Sequence, residues 1–501
     1  MELSLFAVIS LPPLALAGLG WLCGWPFRRH FAPMAAMPEL ALALAFGLAA
    51  NLWLTLTIGQ LRPALVAAGG AGAVGLLGWL VVLARHPARR AYCRGALVVL
   101  PLVLLLALPI ALALAVRPVS DWDARSIWFF HAKAIYHHGA LAREAGWLHP
   151  AFLFAHADYP KLLPLLAAQT ATLAGYWNEY LPKSGLLPLL LTCLVGFCAA
   201  LRYPCSGLLL LILFPWSLGS ELYTGYADAF LALLTVTALL HAQRCFATRS
   251  PLHAAIAVAF LGLTVSLKNE GQMIFCGVAA ALVPIIGVAW RRGHLAAWRP
   301  ILAWPLAMPL AICLLPALAW AILKARWGLH NDLQVVSSES LSRGLGRLTD
   351  WASLRTVCGA LAEQLWLSLL AAGLLFGLCR VYRRAPGPGA WLALLSGVLY
   401  SLGLGWIYLS TPRELSWHLN TSILRVCATP RSMLWVACAL ALATLEAPAV
   451  DALWARLRDG LPAPLRQLAA RFGYDLPPRA AVSPAPPSTP GETPPVPPAA
   501  P

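Results

Sequence analysis

The sequence predicts an all-α polytopic membrane protein, and three observations carry that expectation. Of 501 residues, 60% are hydrophobic and only 11% are charged, too few charges to keep a soluble surface wet. Apolar windows of about 17 to 23 residues recur along the chain, long enough at 1.5 Å per residue to cross roughly 30 Å of hydrocarbon. Strand-period alternation is absent, so helices rather than a β-barrel carry the span.

Thirteen segments qualify in order, and arginine-bearing connections separate many of them. Segments 3–24 and 39–60 flank Arg28 and Arg29; 64–84 and 96–116 flank Arg85 to Arg94; 184–200 and 206–219 flank Arg202. Next, 228–243 and 252–267 flank Arg244 and Arg249; 271–290 and 300–323 flank Arg291 to Arg299; 362–379 and 390–410 flank Arg380 to Arg384, before a last span at 431–447. All these connections fall on one side, which the positive-inside rule makes the cytoplasm. The N-terminus is then outside and the C-terminus inside. The first segment lacks a basic leader and a small-residue cleavage site, so it reads as a retained helix and not a signal peptide.

The net charge of +16 is explained by these loops and does not call for nucleic acid. The twelve cysteines form no CxxC pair and no ligand spacing with histidine; Cys193, Cys198 and Cys276 sit in apolar runs and read as small core residues. From Pro448 the pattern loosens, and from about Pro477 "PPRAAVSPAPPSTPGETPPVPPAAP" cannot bury enough apolar area to fold. Residues 448–501 are therefore expected to form a cytoplasmic tail, disordered from about 477.

Thirteen of the twenty acidic residues lie between Asp121 and Glu414, on or near the outer side in this threading. The working surface is expected there. The loop 117–182 should lie along the membrane. In "SDWDARSIWFFHAKAIYHHG", Ile127, Trp128, Phe130, Ala134 and Ile135 form an apolar face suited to lipid, opposite Arg125, Lys133 and His137. "KLLPLLAAQTATLAGYW" (161–177) reads as an outer-surface or re-entrant helix, because counting it as a crossing would put Arg202, Arg244 and Arg249 on the wrong side.

Five outer clusters hold the ionisable groups: Asp121-Trp-Asp123; "HADYPKLLP" with Asp158 and Tyr159; "YTGYADAF" with Asp228; "SLKNEGQ" with Lys268 and Glu270; and "TPRELSWHLNTSILRV" with Arg413, His418 and Arg425. Charge is costly at membrane depth and is retained there for function. Taken singly, Asp121 or Asp228 also suits a helix cap, Lys268 a snorkelling lysine and Asp158 a turn. If the last stretch is helical, His418, Ser422 and Arg425 share a face, a donor stripe suited to phosphate.

These stretches, in this order, resemble the GT-C membrane glycosyltransferases, and among them the bacterial relatives of dolichyl-phosphate-mannose protein mannosyltransferases. "DWDARSIWFFHAKAIYHHG" is similar to the family's acidic motif and amphipathic helix in the first extracytoplasmic loop. "YWNEYLPKSGLLPLLL", with Glu179, is similar to its Glu-x-x-x-x-Pro helix entry, and "GYADAFLALL" to its Asp at a helix start. "LKNEG" and "WHLNTSILR" resemble a subgroup of it. The match covers about 97–440; four helices, not one, precede the acidic loop, and Asp-Trp-Asp replaces the family's Asp-Glu pair.

The resemblance implies a GT-C-like bundle of about thirteen transmembrane helices, with additional helices over 1–95, a core over 96–447 and interfacial helices in the loop 117–182. It implies a glycosyltransferase, inverting, that moves sugar from a polyprenyl-phosphate donor to a glycan, lipid or protein acceptor at the outer face of a bacterial inner membrane. Asp123 is the expected base, with Asp121 its alternative and Asp228 an orienting carboxylate; a divalent metal on Asp123 and Asp228 stays open. His418, Arg425, Lys268 and Arg413 are the donor-phosphate candidates, and Lys133, Asp158, Tyr159, Glu179 and Glu270 the acceptor or supporting ones. The competing reading is a secondary transporter or flippase for a lipid-linked or small anionic substrate, which would carry its ionisable groups at helix midpoints.

Overall fold

Apolar runs separated by short polar connections become helices stacked side by side. The structure, a computed structural model, describes residues 4–31, 35–86, 92–93, 95–141, 149, 154–293, 304–331 and 337–460. The helices are α1 (Leu5–Gly24), α2 (Ala36–Ile58), α3 (Leu61–Arg85), α4 (Ala96–Val116), α5 (Phe129–His138), α6 (Leu162–Ala174), α7 (Leu187–Ala200), α8 (Pro204–Leu218) and α9 (Glu221–Thr224). They continue with α10 (Asp228–Thr248), α11 (Pro251–Leu267), α12 (Glu270–Arg291), α13 (Trp304–Trp327), α14 (Ser338–Thr349), α15 (Trp351–Val381), α16 (Pro388–Ser410), α17 (Leu415–Val426) and α18 (Ala428–Gly460). No strand occurs among the described residues. The expected tail disorder lies outside them.

Eleven helical segments among the described residues are long and apolar enough to cross a membrane, so the chain is a multi-pass helical membrane protein. Each of the thirteen expected segments falls on a helix among the described residues, but α8 and α11 have only 15 and 17 residues. At 1.5 Å per residue they reach about 22 and 26 Å.

α2, α7 and α10 form the buried centre, while α3, α4 and α12 turn most of their side chains outward. Along α4, Leu104, Leu105, Leu108 and Leu112 are exposed, as a lipid-facing helix requires. α1 packs on both α2 and α3. Backbones touch there: a Cβ at Gly18 or Gly20 would collide with the carbonyl of Gly72 or Ala43, so only glycine allows that approach.

Several polar groups within the bundle pair with one another, since lipid offers no partner. Asn51 of α2 and Gln169 of α6 exchange reciprocal amide bonds of 2.9 and 3.0 Å. Glu39, buried at the start of α2, accepts from Arg28 at 2.9 Å, from Trp21 at 3.2 Å and from the Tyr92 hydroxyl.

Two expectations change. The apolar face of the 121–139 stretch does not look at lipid: Ile127, Trp128 and Ile135 are buried in the protein core, while Lys133 and His137 are exposed. α6, expected as an outer-surface or re-entrant helix, is enclosed by protein. Nearly all its residues are buried against α5 and the segment leading into α7, because apolar groups facing protein can pack more densely than against mobile lipid. Cys193 and Cys198 are buried, but Cys276 is exposed on α12.

Candidate functional site

Asp123 lies in the first turn of a helical stretch that continues through a π turn at Ala124–Trp128 into α5. The Phe129 amide reaches the Ala124 carbonyl, five residues back, so the helix is locally widened directly after Asp123. Asp228 is the first residue of α10, Lys268 follows the last residue of α11, and Arg425 lies in the last turn of α17. Four helix ends meet.

The contacts form a chain of alternating charge. Arg425 Nη2 lies 2.6 Å from Asp123 Oδ2, and Arg425 Nε lies 3.5 Å from Asp228 Oδ2. On the other oxygen of Asp228, Lys268 Nζ donates at 2.7 Å, and it also lies 2.9 Å from Glu270 Oε1. The Arg425 guanidinium carbon stands 4.6 Å from the Tyr226 ring centroid, so the planar cation is held from its face as well as its edge. Lys268 is only 4% exposed, which rules out snorkelling. Burial works against its charge, yet Asp228 and Glu270 outweigh it and raise its pKa.

Glu221 joins this cluster and was not anticipated. Burial and the nearby Asp228 carboxylate push its carboxyl up to about 8, against the opposing pull of Arg425, Lys268 and Arg431. One of its oxygens, Oε2, is buried without a hydrogen bond. Arg431 is tied to the Ser217 carbonyl at 2.9 Å and to Gln364 at 3.4 Å. The only available sequence signal for Glu221 was its position seven residues before Asp228.

A second set forms around Asp158. Its Oδ2 accepts from Asn269 at 2.7 Å and Asn331 at 3.1 Å, with Lys324 Nζ at 3.7 Å, and its carbonyl accepts from the Trp320 indole at 3.1 Å. Asn269 lies between Lys268 and Glu270, so the two sets are adjacent in sequence at that connection. Lys161 donates to the Ala157 carbonyl, lies 3.2 Å from His131 Nδ1 and faces the Trp320 ring. Burial drives the pKa of both Lys161 and His131 well down. Tyr159 stacks between Trp128 and His156.

The remaining candidates occupy other contacts. Lys133 pairs with Glu179 at 3.2 Å, both about half exposed, a geometry that contributes little. Asp121 accepts from Ser120 Oγ at 3.4 Å. The expected phosphate stripe required a helix, and α17 supplies it, but His418 bonds Thr411 at 3.0 Å and meets Tyr408 edge-on, and Ser422 bonds the Tyr408 hydroxyl at 2.8 Å. Arg425 is the stripe member that reaches the carboxylates. Arg413 is exposed, and its amide donates to Thr411 Oγ1.

Asp123 and Asp228 both face Arg425, and Asp228 faces Lys268 as well. Among the described residues no group of three His, Cys, Asp or Glu is arranged to hold a metal ion. Asp123 and Asp228 each face a cation of the chain instead. What the cluster does offer is two cations, Arg425 and Lys268, shared among the carboxylates of Asp123, Asp228 and Glu270 and able to trade an internal partner for an anionic ligand. Compared with protein-family models, curated proteins and solved structures, the chain finds no match.

Proposed function

We propose that the chain is a GT-C-type glycosyltransferase that moves a sugar from a polyprenyl-phosphate donor to an acceptor hydroxyl or amine at the extracytoplasmic face of a bacterial inner membrane. The observation that carries this reading is the meeting of Asp123, Arg425, Asp228 and Lys268 from four segments far apart in sequence. All four stand at helix ends, whereas a transporter's ionisable groups belong at helix midpoints. In this reading α8 and α11 also cross, giving thirteen spans, and both Arg117 to Pro182 and Thr411 to Arg431 are extracytoplasmic.

The chemistry needs one base and a cation. A phosphate leaving group departs without a proton, so positive charge stabilises it and one carboxylate takes the acceptor's proton. Arg425 fits the phosphate, with its planar fork and with Lys268 adding charge across Asp228. A phosphate bound at Arg425 competes with Asp123 for the same guanidinium. Donor binding thereby frees Asp123 Oδ2 for the acceptor, and Asp228 keeps Arg425 oriented. An acceptor attacking directly in one displacement inverts the anomeric centre.

The test is turnover by purified protein with a panel of polyprenyl-phosphate sugars, read as release of free polyprenyl phosphate. Release with at least one donor is expected; none with any, in well-folded protein, moves the reading to transport. Orientation is tested in a background without native cysteines. Ser416→Cys should react with an impermeant thiol reagent in intact spheroplasts and Ser488→Cys should not; the reverse pattern inverts the threading.

Glu221 gives the reaction a pH signature. Its carboxyl is raised to about 8, so it is neutral below that pH and becomes anionic as pH rises through it. The new charge beside Asp228 and Arg425 repels a donor phosphate. Donor affinity should therefore weaken above pH 8, and Glu221→Gln should remove that loss while leaving affinity near pH 7 almost unchanged. A pH profile identical in the two proteins excludes Glu221 from the site.

A further inference from the structure

At the end of the bundle away from Asp228, helices α10, α11, α12 and α16 border an open groove of about 840 Å3. Small residues, among them Ala242, Ala254 and Ala257, keep it open, and larger ones such as Leu282 and Leu395 line it with hydrocarbon. Two arginines also line it. Arg249 follows the last residue of α10 and Arg292 the last residue of α12, and both are exposed.

The dimensions match half a bilayer. Along α10 the groove runs from Ala238, at mid-helix, to Arg249. Those eleven residues rise about 16 Å, close to half of a roughly 30 Å hydrocarbon layer. Apolar lining thus spans the depth of one leaflet, and the positive charge stands where that leaflet's headgroups lie. Positive charge at that level favours an anionic headgroup over a neutral or cationic one.

We propose that this groove seats an anionic glycerophospholipid of that leaflet, its phosphate at Arg249 and Arg292 and its acyl chains along the alanine-lined wall. The site stands apart from the transfer reaction and does not depend on it. Asp228 begins α10 and Arg249 follows its end, so about 30 Å of helix separates a phosphate here from the charged cluster.

Delipidated full-length protein is offered phosphatidylglycerol or phosphatidylcholine of identical chains in detergent, and retained lipid is read by native mass spectrometry. Retention of phosphatidylglycerol should exceed that of phosphatidylcholine about tenfold or more, as two interfacial arginines imply. Arg249→Gln with Arg292→Gln should abolish the preference while chain-driven binding stays. Ala257→Trp, which fills the groove, should lower retention of both lipids. Equal retention by the unaltered protein, or a preference that persists in the double glutamine variant, overturns the proposal. So does stronger retention of polyprenyl phosphate than of phosphatidylglycerol, because the groove would then serve a different occupant. The arginine variants change exposed side chains only, so they decide the matter even if the tryptophan protein fails to fold.

Discussion

If the chain is the glycosyltransferase proposed above, Asp123→Asn should lower sugar transfer by about 100-fold or more, the scale on which a lost general base is felt. The amide keeps the shape of the side chain and removes both its basicity and its charge. Because Asp123 sits 2.6 Å from Arg425 in the free protein, the substitution also removes a competitor for the donor phosphate. Donor KM should therefore stay level or fall while kcat collapses. A carboxylate that merely held the helix end would show the opposite, poor expression or weakened donor binding with kcat preserved. Near-normal turnover in Asp123→Asn would sink the assignment and transfer it to Asp121.

Asp228→Ala should cost about 3–5 kcal/mol of stability, the usual consequence of stranding a buried charge. Asp228 and Lys268 are 3% and 4% exposed, and their 2.7 Å contact is the closest each makes with an opposite charge. With the carboxylate gone, Lys268 keeps only Glu270, and Arg425 loses its second anion. Replacing both partners is gentler: Asp228→Ala with Lys268→Met should recover a large part of the loss, since neither charge is left buried alone. Denaturant unfolding of the three variants in one detergent measures the cycle. Strictly additive losses would mean that the two side chains are not coupled, and the charge chain would lose its central link.

Hydropathy made the spans legible. Segments such as 96–116 and 390–410 lie within two residues of α4 and α16, because long apolar runs admit one reading. Where polar residues interrupt the run, it misled. The span expected at 362–379 begins eleven residues earlier, at Trp351, with Arg355 and Glu363 inside α15. α14 went unread altogether, although Leu341, Leu345 and Leu348 recur along it, because charged and small residues dilute that stripe.

The site was legible as a set of stretches but not as a set of contacts. Asp123, Asp228, Lys268 and Arg425 were each marked by the rarity of charge in an apolar chain. Which of them touch depends on how α10, α11 and α17 meet the loop after α4, and no local period encodes that. The same limit hid Glu221, which occupies the four-residue α9. It also made His418 look like a partner of Arg425, when its ring bonds the Thr411 hydroxyl. Shared helix face was a necessary condition, and side-chain direction decided the rest.

The amide pair between Asn51 and Gln169 has a consequence in time. The two residues are 118 positions apart, so at a synthesis rate of about 5–20 residues per second α2 leaves the ribosome roughly 6–24 s before its partner exists. During that interval Asn51 has no Gln169 to bond, in a helix otherwise suited to lipid. α2 must wait beside the translocation machinery, in water, or against the glycines of α1 until α6 arrives. An early central helix is thereby held for a late one.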